Sequence, residues 1–210
     1  MRSERRPMTC RHCGKEFTSR VILQVDCSRP EDREANLADG SLFTYTCPNC
    51  GEPLRFNHYL LWVDEQHTVA VCNLTCEEEK NAVDEAISAL SAFGKGAAIR
   101  RRFVSSPARL CEKAQIFSLG LDDRVVEIIK LYMTEEARRA YPQKVISDAL
   151  FFPNGEDFGI LFQCADGDLT VALSREQLQA AAASFVFGEP SPEVVDANWA
   201  IAFLSGGKSC

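Results

Sequence analysis

Cys10-Arg11-His12-Cys13-Gly14 and Cys47-Pro48-Asn49-Cys50-Gly51 are two copies of one pattern within a single chain, with 33 residues between the two cysteine pairs. Two cysteines three apart on a tight turn can aim both sulfurs at one point, and a glycine directly after the second lets the backbone take a positive φ. Two such turns complete a tetrahedron of thiolates, the ligand set of a closed zinc site. Pro48 presets φ in the second turn, so less chain entropy is lost on binding. The ligands expected from this pattern are Cys10, Cys13, Cys47 and Cys50, holding one structural Zn2+.

A pair of thioredoxin-like redox centres would place each motif at a helix N-terminus, where the dipole lowers the thiol pKa. The flanks point elsewhere. Phe17, Ser19, Val21, Leu23 and Val25 alternate with Thr18, Arg20, Ile22, Gln24 and Asp26, a two-residue period that predicts a strand, and residues 54–63 also read as strand. A four-sulfur site keeps no open coordination position, so the metal is expected to support structure, and no catalytic residue is assigned. There is no H-E-x-x-H, and none of His12, His58 and His67 has a glutamate two positions on, as a zinc deaminase requires. His12 lies between two ligands; since Cys10 and Cys13 already supply the spacing, it is read as an exposed knuckle residue.

Length and composition agree with a folded protein. The chain has 210 residues, 46% hydrophobic and 25% charged, and no apolar run approaches the ~20 residues of a membrane span. The opening MRSERRPMTC is followed by a cysteine motif and Lys15-Glu16 where a secretory signal would carry its apolar region, so a cytoplasmic location is expected. In a reducing compartment, ten cysteines argue for metal binding rather than disulfides. The net charge of −7 is uneven: residues 145–210 hold 2 basic and 9 acidic side chains, while residues 1–144 balance. An acidic chain disfavours nonspecific grip on nucleic acid, although Arg2, Arg5, Arg6, Arg11, Lys15 and Arg20, and the Arg100-Arg101-Arg102 cluster, are local exceptions. The arginine cluster is read as a solvated patch.

The predicted architecture is α+β: a four-cysteine zinc ribbon with an antiparallel sheet, a helical block, and a C-terminal β-meander with covering helices. Residues 28–40 read as a short helix or ordered loop between the knuckles, and 67–72 as a strand. Thr75 opens a helix with Glu78 as a capping box; Val83, Ala86, Ile87, Leu90 and Phe93 form its stripe, and Gly94 and Gly96 stop it. Ser106-Pro107 starts a second helix that Gly120 ends, and Asp122 starts a third. Residues 145–152, 158–164 and 169–173 form the meander, Ser174 with Gln177 caps a short helix, and a last helix holds Val194, Val195, Trp199, Ile201 and Leu204. The boundaries read from these signals are 1–144 for the zinc-binding domain (ribbon 8–73, helical block 75–141), 145–205 for a C-terminal α+β subdomain, and 206–210 for a tail.

The two C-x-x-C-G turns, the Asp39-Gly40-Ser41-Leu42-Phe43 approach to the second, the Tyr59-Leu60-Leu61-Trp62-Val63-Asp64 strand beyond it, and LCEKAQIFSLGLDDRVVEIIK at residues 110–130 resemble the bacterial CpXC domain over residues 8 to about 130. The first motif departs from the family by carrying Arg11 in place of proline, which weakens preorganisation of that knuckle and removes no ligand. The resemblance implies a zinc-binding domain whose biochemical task the family does not define, and it supplies no catalytic residue.

Two function classes follow. One is a noncatalytic zinc-ribbon protein that presents a surface to a protein partner; the other is a nucleic-acid-associated factor whose basic N-terminus and arginine cluster flank the ribbon. No membrane role is expected. An enzyme working through Asp122 and Asp123 would be a third class, but aspartate at an N-cap and first turn is what a helix start needs anyway. Cys72 and Cys76, with His58 or His67, could assemble a second metal site; a buried strand cysteine and a helix-start cysteine explain them more simply. Cys27, Cys111 and Cys164 are read as core.

Overall fold

The computed structural model describes residues 1–27, 29, 32, 40–76, 79–89 and 99–206. The expected helix or loop at 28–40 lies largely outside the described residues, as do Glu78 of the expected capping box, Leu90, Phe93, Gly94 and Gly96, and residues 207–210 of the tail. The chain divides into two compact units, Met1–Ala114 and Gln115–Cys210.

In the first unit, β1 (Arg2–Thr9) and β2 (Glu16–Asp26) form a hairpin around the first knuckle, and β3 (Thr44–Thr46) and β4 (Pro53–Arg55) form a shorter one around the second. Strands β5 (Leu60–Asp64), β6 (Val69–Asn73) and β7 (Arg100–Val104) complete a five-stranded sheet in the order β1-β2-β5-β6-β7. An antiparallel sheet is expected from the sequence; the pairings of β1 with β2 and β5 with β6 are antiparallel, but they alternate with two parallel ones, β2 with β5 and β6 with β7. All five residues of β5 and all five of β6 are buried. Such strands read as continuous apolar runs rather than alternations. Leu61, Val63, Ala70, Cys72 and Phe103 receive helix α1 (Glu79–Ala89) through Val83, with Ala86 and Ile87 packed alongside.

Residues 54–63 do not form one strand. Asn73, fully buried, donates through Nδ2 to Asn57 Oδ1 and to the His58 carbonyl, both at 2.7 Å. These bonds hold the chain between β4 and β5 out of a ladder. The 75–141 block likewise contains β7, a strand among its helices. Its arginines are not a solvated patch: Arg101 is exposed, Arg100 is half-buried and Arg102 is 1% exposed. Arg102 belongs to the interior because β7 joins the sheet beside β6, and the consecutive residues Arg102 and Phe103, on opposite faces of the strand, are both buried.

Helix α2 (Pro107–Ser118) carries the division between the units and ends at Gly120, whose φ of +69 lets the Gly120 and Leu121 N–H groups close back on the Phe117 and Ile116 carbonyls. In the second unit, Asp122 caps α3 (Asp123–Ala140) by accepting from the Arg124 N–H. The meander is as expected, β8 (Ile146–Asn154), β9 (Asp157–Cys164) and β10 (Leu169–Leu173), all antiparallel. Ser174 and Gln177 make both halves of the capping box on α4 (Arg175–Ser184), and Asp196 caps α5 (Ala197–Leu204), leaving Val194 and Val195 ahead of that helix. Val125, Val126 and Ile129 of α3 share one core with Ile146, Phe151, Phe158, Ile160 and Phe162 of the meander and Leu178 of α4. Helix α3 therefore lies with the meander in the second compact unit.

Candidate metal centre

The two knuckles are built alike. In the first, strand pairing stops at Thr9 and Glu16; in the second it stops at Thr46 and Pro53, with six residues in each turn. The Cys10 N–H donates to the Lys15 carbonyl at 2.9 Å and the Gly14 N–H to the Cys10 carbonyl at 2.8 Å. The second turn repeats this as Cys47 to Glu52 and Gly51 to Cys47, both at 2.9 Å. Gly14 and Gly51 adopt φ of +72 and +76. The bonds hold both cysteines of a knuckle on the same side of its turn, and the Cys13 N–H also points at Cys10 Sγ, 3.5 Å away.

The four sulfurs converge. All lie within 4.8 Å of one another, and the pairs Cys10–Cys50 and Cys13–Cys47 are each 3.7 Å apart. A disulfide needs about 2.05 Å, so these are not bonded pairs. A tetrahedron with metal–sulfur bonds of about 2.3 Å has sulfur–sulfur edges of about 3.8 Å, which these two pairs match while the other edges stay within 4.8 Å. Cys10 and Cys47 are buried, Cys13 is half-buried and Cys50 is exposed. Leu54, Phe17 and Phe56 pack against the cysteines from within the unit.

The electrostatics agree with a cation site. Burial raises the Cys47 thiol, but the N–H groups of Asn49 and Cys50 and the thiols of Cys50 and Cys10 outweigh it and bring it down to about 6. For Cys50 the Glu52 N–H pulls downward, while burial and hydrogen bonding with Cys47, Cys13 and Cys10 dominate and push it up to about 12. Cys47 therefore ionises easily at the expense of Cys50, as expected of adjacent thiols that need a cation to lose both their protons.

The other residues singled out in the sequence are not brought together. His58 is tied at both nitrogens, with Nδ1 2.8 Å from the Tyr59 carbonyl and Nε2 2.9 Å from the Tyr45 hydroxyl. His67 Nδ1 pairs with Asp64 Oδ2 at 2.7 Å. Cys72 is buried, which pushes its thiol up to about 12, whereas Cys76 is exposed. Among the described residues the four-cysteine set is the one group with metal-ligand geometry. His12 is exposed, and Asp122 is engaged by Arg124 through its backbone N–H at 2.9 Å and a paired guanidinium at 2.7 to 3.2 Å. Sequence reasoning missed Asn73 and the anchoring part of His58, because a single polar residue in an apolar run announces burial only once its partners are known.

An α+β fold in which paired C-x-x-C hairpins bring four thiols to one point defines a protein with a cysteine tetrad able to hold a metal ion. The family model described as "CpXC protein" matches residues 8–130, more than half of the chain, and the chain belongs to the CpXC family. No curated protein and no solved structure gives a significant match.

Proposed function

We propose that Cys10, Cys13, Cys47 and Cys50 hold one structural Zn2+ and that the ribbon it organises presents a surface to a protein partner in the cytoplasm. The observation that carries this reading is the sulfur tetrad, whose 3.7 Å separations suit a tetrahedral metal of zinc's bond length. With four thiolates bound, the metal would have no position for water or substrate, so its contribution is to tie the β1–β2 and β3–β4 hairpins together. The chain's own residues prepare the site: the repeated backbone bonds fix both turns, and Phe17, Leu54 and Phe56 shield the inner sulfurs.

A nucleic-acid-associated ribbon is the second reading, favoured by Arg5, Arg6 and Arg20 standing exposed on the β1–β2 hairpin next to exposed Arg11 and Lys15 of the knuckle. Two measurements separate the readings. Affinity capture of the zinc-loaded full chain from native extract, with and without nuclease, is expected to recover a protein whose retention is nuclease-resistant. Binding to mixed-sequence duplex and single-stranded oligonucleotides that weakens steeply with salt would support the alternative instead.

A further inference from the structure

The four thiols of the tetrad are not equally covered. Cys10 is 0% and Cys47 1% exposed, and Phe17, Leu54 and Phe56 form an apolar cluster with these two and with Cys13. Cys50 is exposed and stands outside that cluster, so small polar solutes reach the tetrad there. A resolving partner is in place. Cys10 Sγ is 3.7 Å from Cys50 Sγ, and the remaining two sulfurs, of Cys13 and Cys47, are 3.7 Å from each other. The two pairs share no sulfur, and each joins one knuckle to the other. Closing either to the roughly 2.05 Å of a disulfide is a movement shorter than the bond it makes. Other thiols lack this setting: burial pushes Cys72 up to about 12, and burial with the Asp64 carboxylate pushes half-buried Cys27 up to about 11.

We infer that Cys50 is a site of oxidation by small hydroperoxides, resolved by Cys10 into a disulfide that dismantles the metal centre. This regulates the zinc site proposed above and rests on that reading. The Cys50 thiolate, which a bound metal would keep ionised, attacks one peroxide oxygen: the S–O bond forms, the O–O bond breaks, and the leaving hydroxide takes a proton to become water. The Cys10 thiolate then attacks the Cys50 sulfur; the S–S bond forms, the S–O bond breaks, and a second hydroxide leaves as water with another proton. Two thiolates have passed two electrons to one peroxide. Cys13 and Cys47 repeat the exchange with a second peroxide, and the ligand set is spent.

The zinc-loaded full chain, titrated with hydrogen peroxide beside a colorimetric zinc chelator and mapped by mass spectrometry after alkylation, tests the inference. Zinc loss should approach completion, with dimedone trapping sulfenic acid first at Cys50 and the Cys10–Cys50 disulfide as the earliest cross-link. Dithiothreitol should restore zinc binding in full. Cys76→Ser, which removes an exposed thiol outside the tetrad, should change none of this. Retention of zinc by the loaded chain in excess peroxide would overturn the inference and leave the structural zinc standing. First labelling at Cys10, Cys13 or Cys47, or a dominant Cys47–Cys50 disulfide within one knuckle, would overturn it as well. A chain that holds no zinc before peroxide is added would overturn both the inference and the reading beneath it.

Discussion

Gly14 and Gly51 sit at φ +72 and +76 with no atom within 4 Å of where a Cβ would stand, so alanine there meets backbone strain and nothing else. That strain costs about 1–2 kcal/mol, and Gly51→Ala is therefore expected to weaken metal binding about tenfold in a chelator competition. Gly159 presents the opposite case. Its backbone is ordinary, but an added Cβ would lie 2.4 Å from the tip of the Phe152 ring directly across the β8–β9 ladder. Gly159→Ala should destabilise the protein by about 1–2 kcal/mol, read as a lower denaturant midpoint, because the ring must leave its place on the strand. Among the cysteines, Cys10→Ser and Cys47→Ser should be equally damaging to metal content, whereas Cys164→Ser, at a half-buried position on β9, should leave it unchanged.

At the scale of elements, the start of α3 ties stability to pH. Burial pushes the Asp122 carboxyl up, but the Arg124 guanidinium and N–H outweigh it and hold it below the usual aspartate value. A carboxyl depressed in the folded state stabilises fully above its unfolded pKa of about 3.9 and loses that contribution as pH falls through the folded value. Asp122→Asn should accordingly lower the denaturant midpoint at pH 7 and converge with the parent chain as the pH falls through the depressed folded-state value. Caps of this kind were legible in the sequence: Asp122 and the Ser174/Gln177 box stand where the residue types put them, as do both knuckles and the three meander strands, whose turns carry Gly155 and Gly167. Strand β1 was not legible. It is an edge strand with no residue buried, so no alternation marks it, and its charges and Pro7 are those of a guarded edge. Strand β7 escaped notice because three arginines resemble a solvated run until β6 pairs with them and takes Arg102 inside. Residues 54–63 are mostly strand-forming, with Asn57 the exception, and the break is held by Asn73, which reaches Asn57 and the His58 carbonyl from a later strand.

For the whole molecule, the two units have cores of their own, one around the buried strands β5 and β6 with the ribbon beside them, and one between α3, α4 and the meander. A structural zinc supplies about 10 kcal/mol to folding in small zinc-finger peptides, so chelation should strip hydrogen-exchange protection from the amides of β2 and β3, while β8 and β9 keep theirs. Unchanged protection with the metal confirmed gone would mean that the ribbon folds without it. The central claim is that four thiolates from two hairpins share one zinc ion, and X-ray absorption at the zinc edge on the purified full chain tests it most directly. The account predicts one zinc per chain with four sulfur neighbours at about 2.3 Å. A chain purified without stoichiometric metal, or a shell containing nitrogen or oxygen in place of any of the four sulfurs, would contradict it.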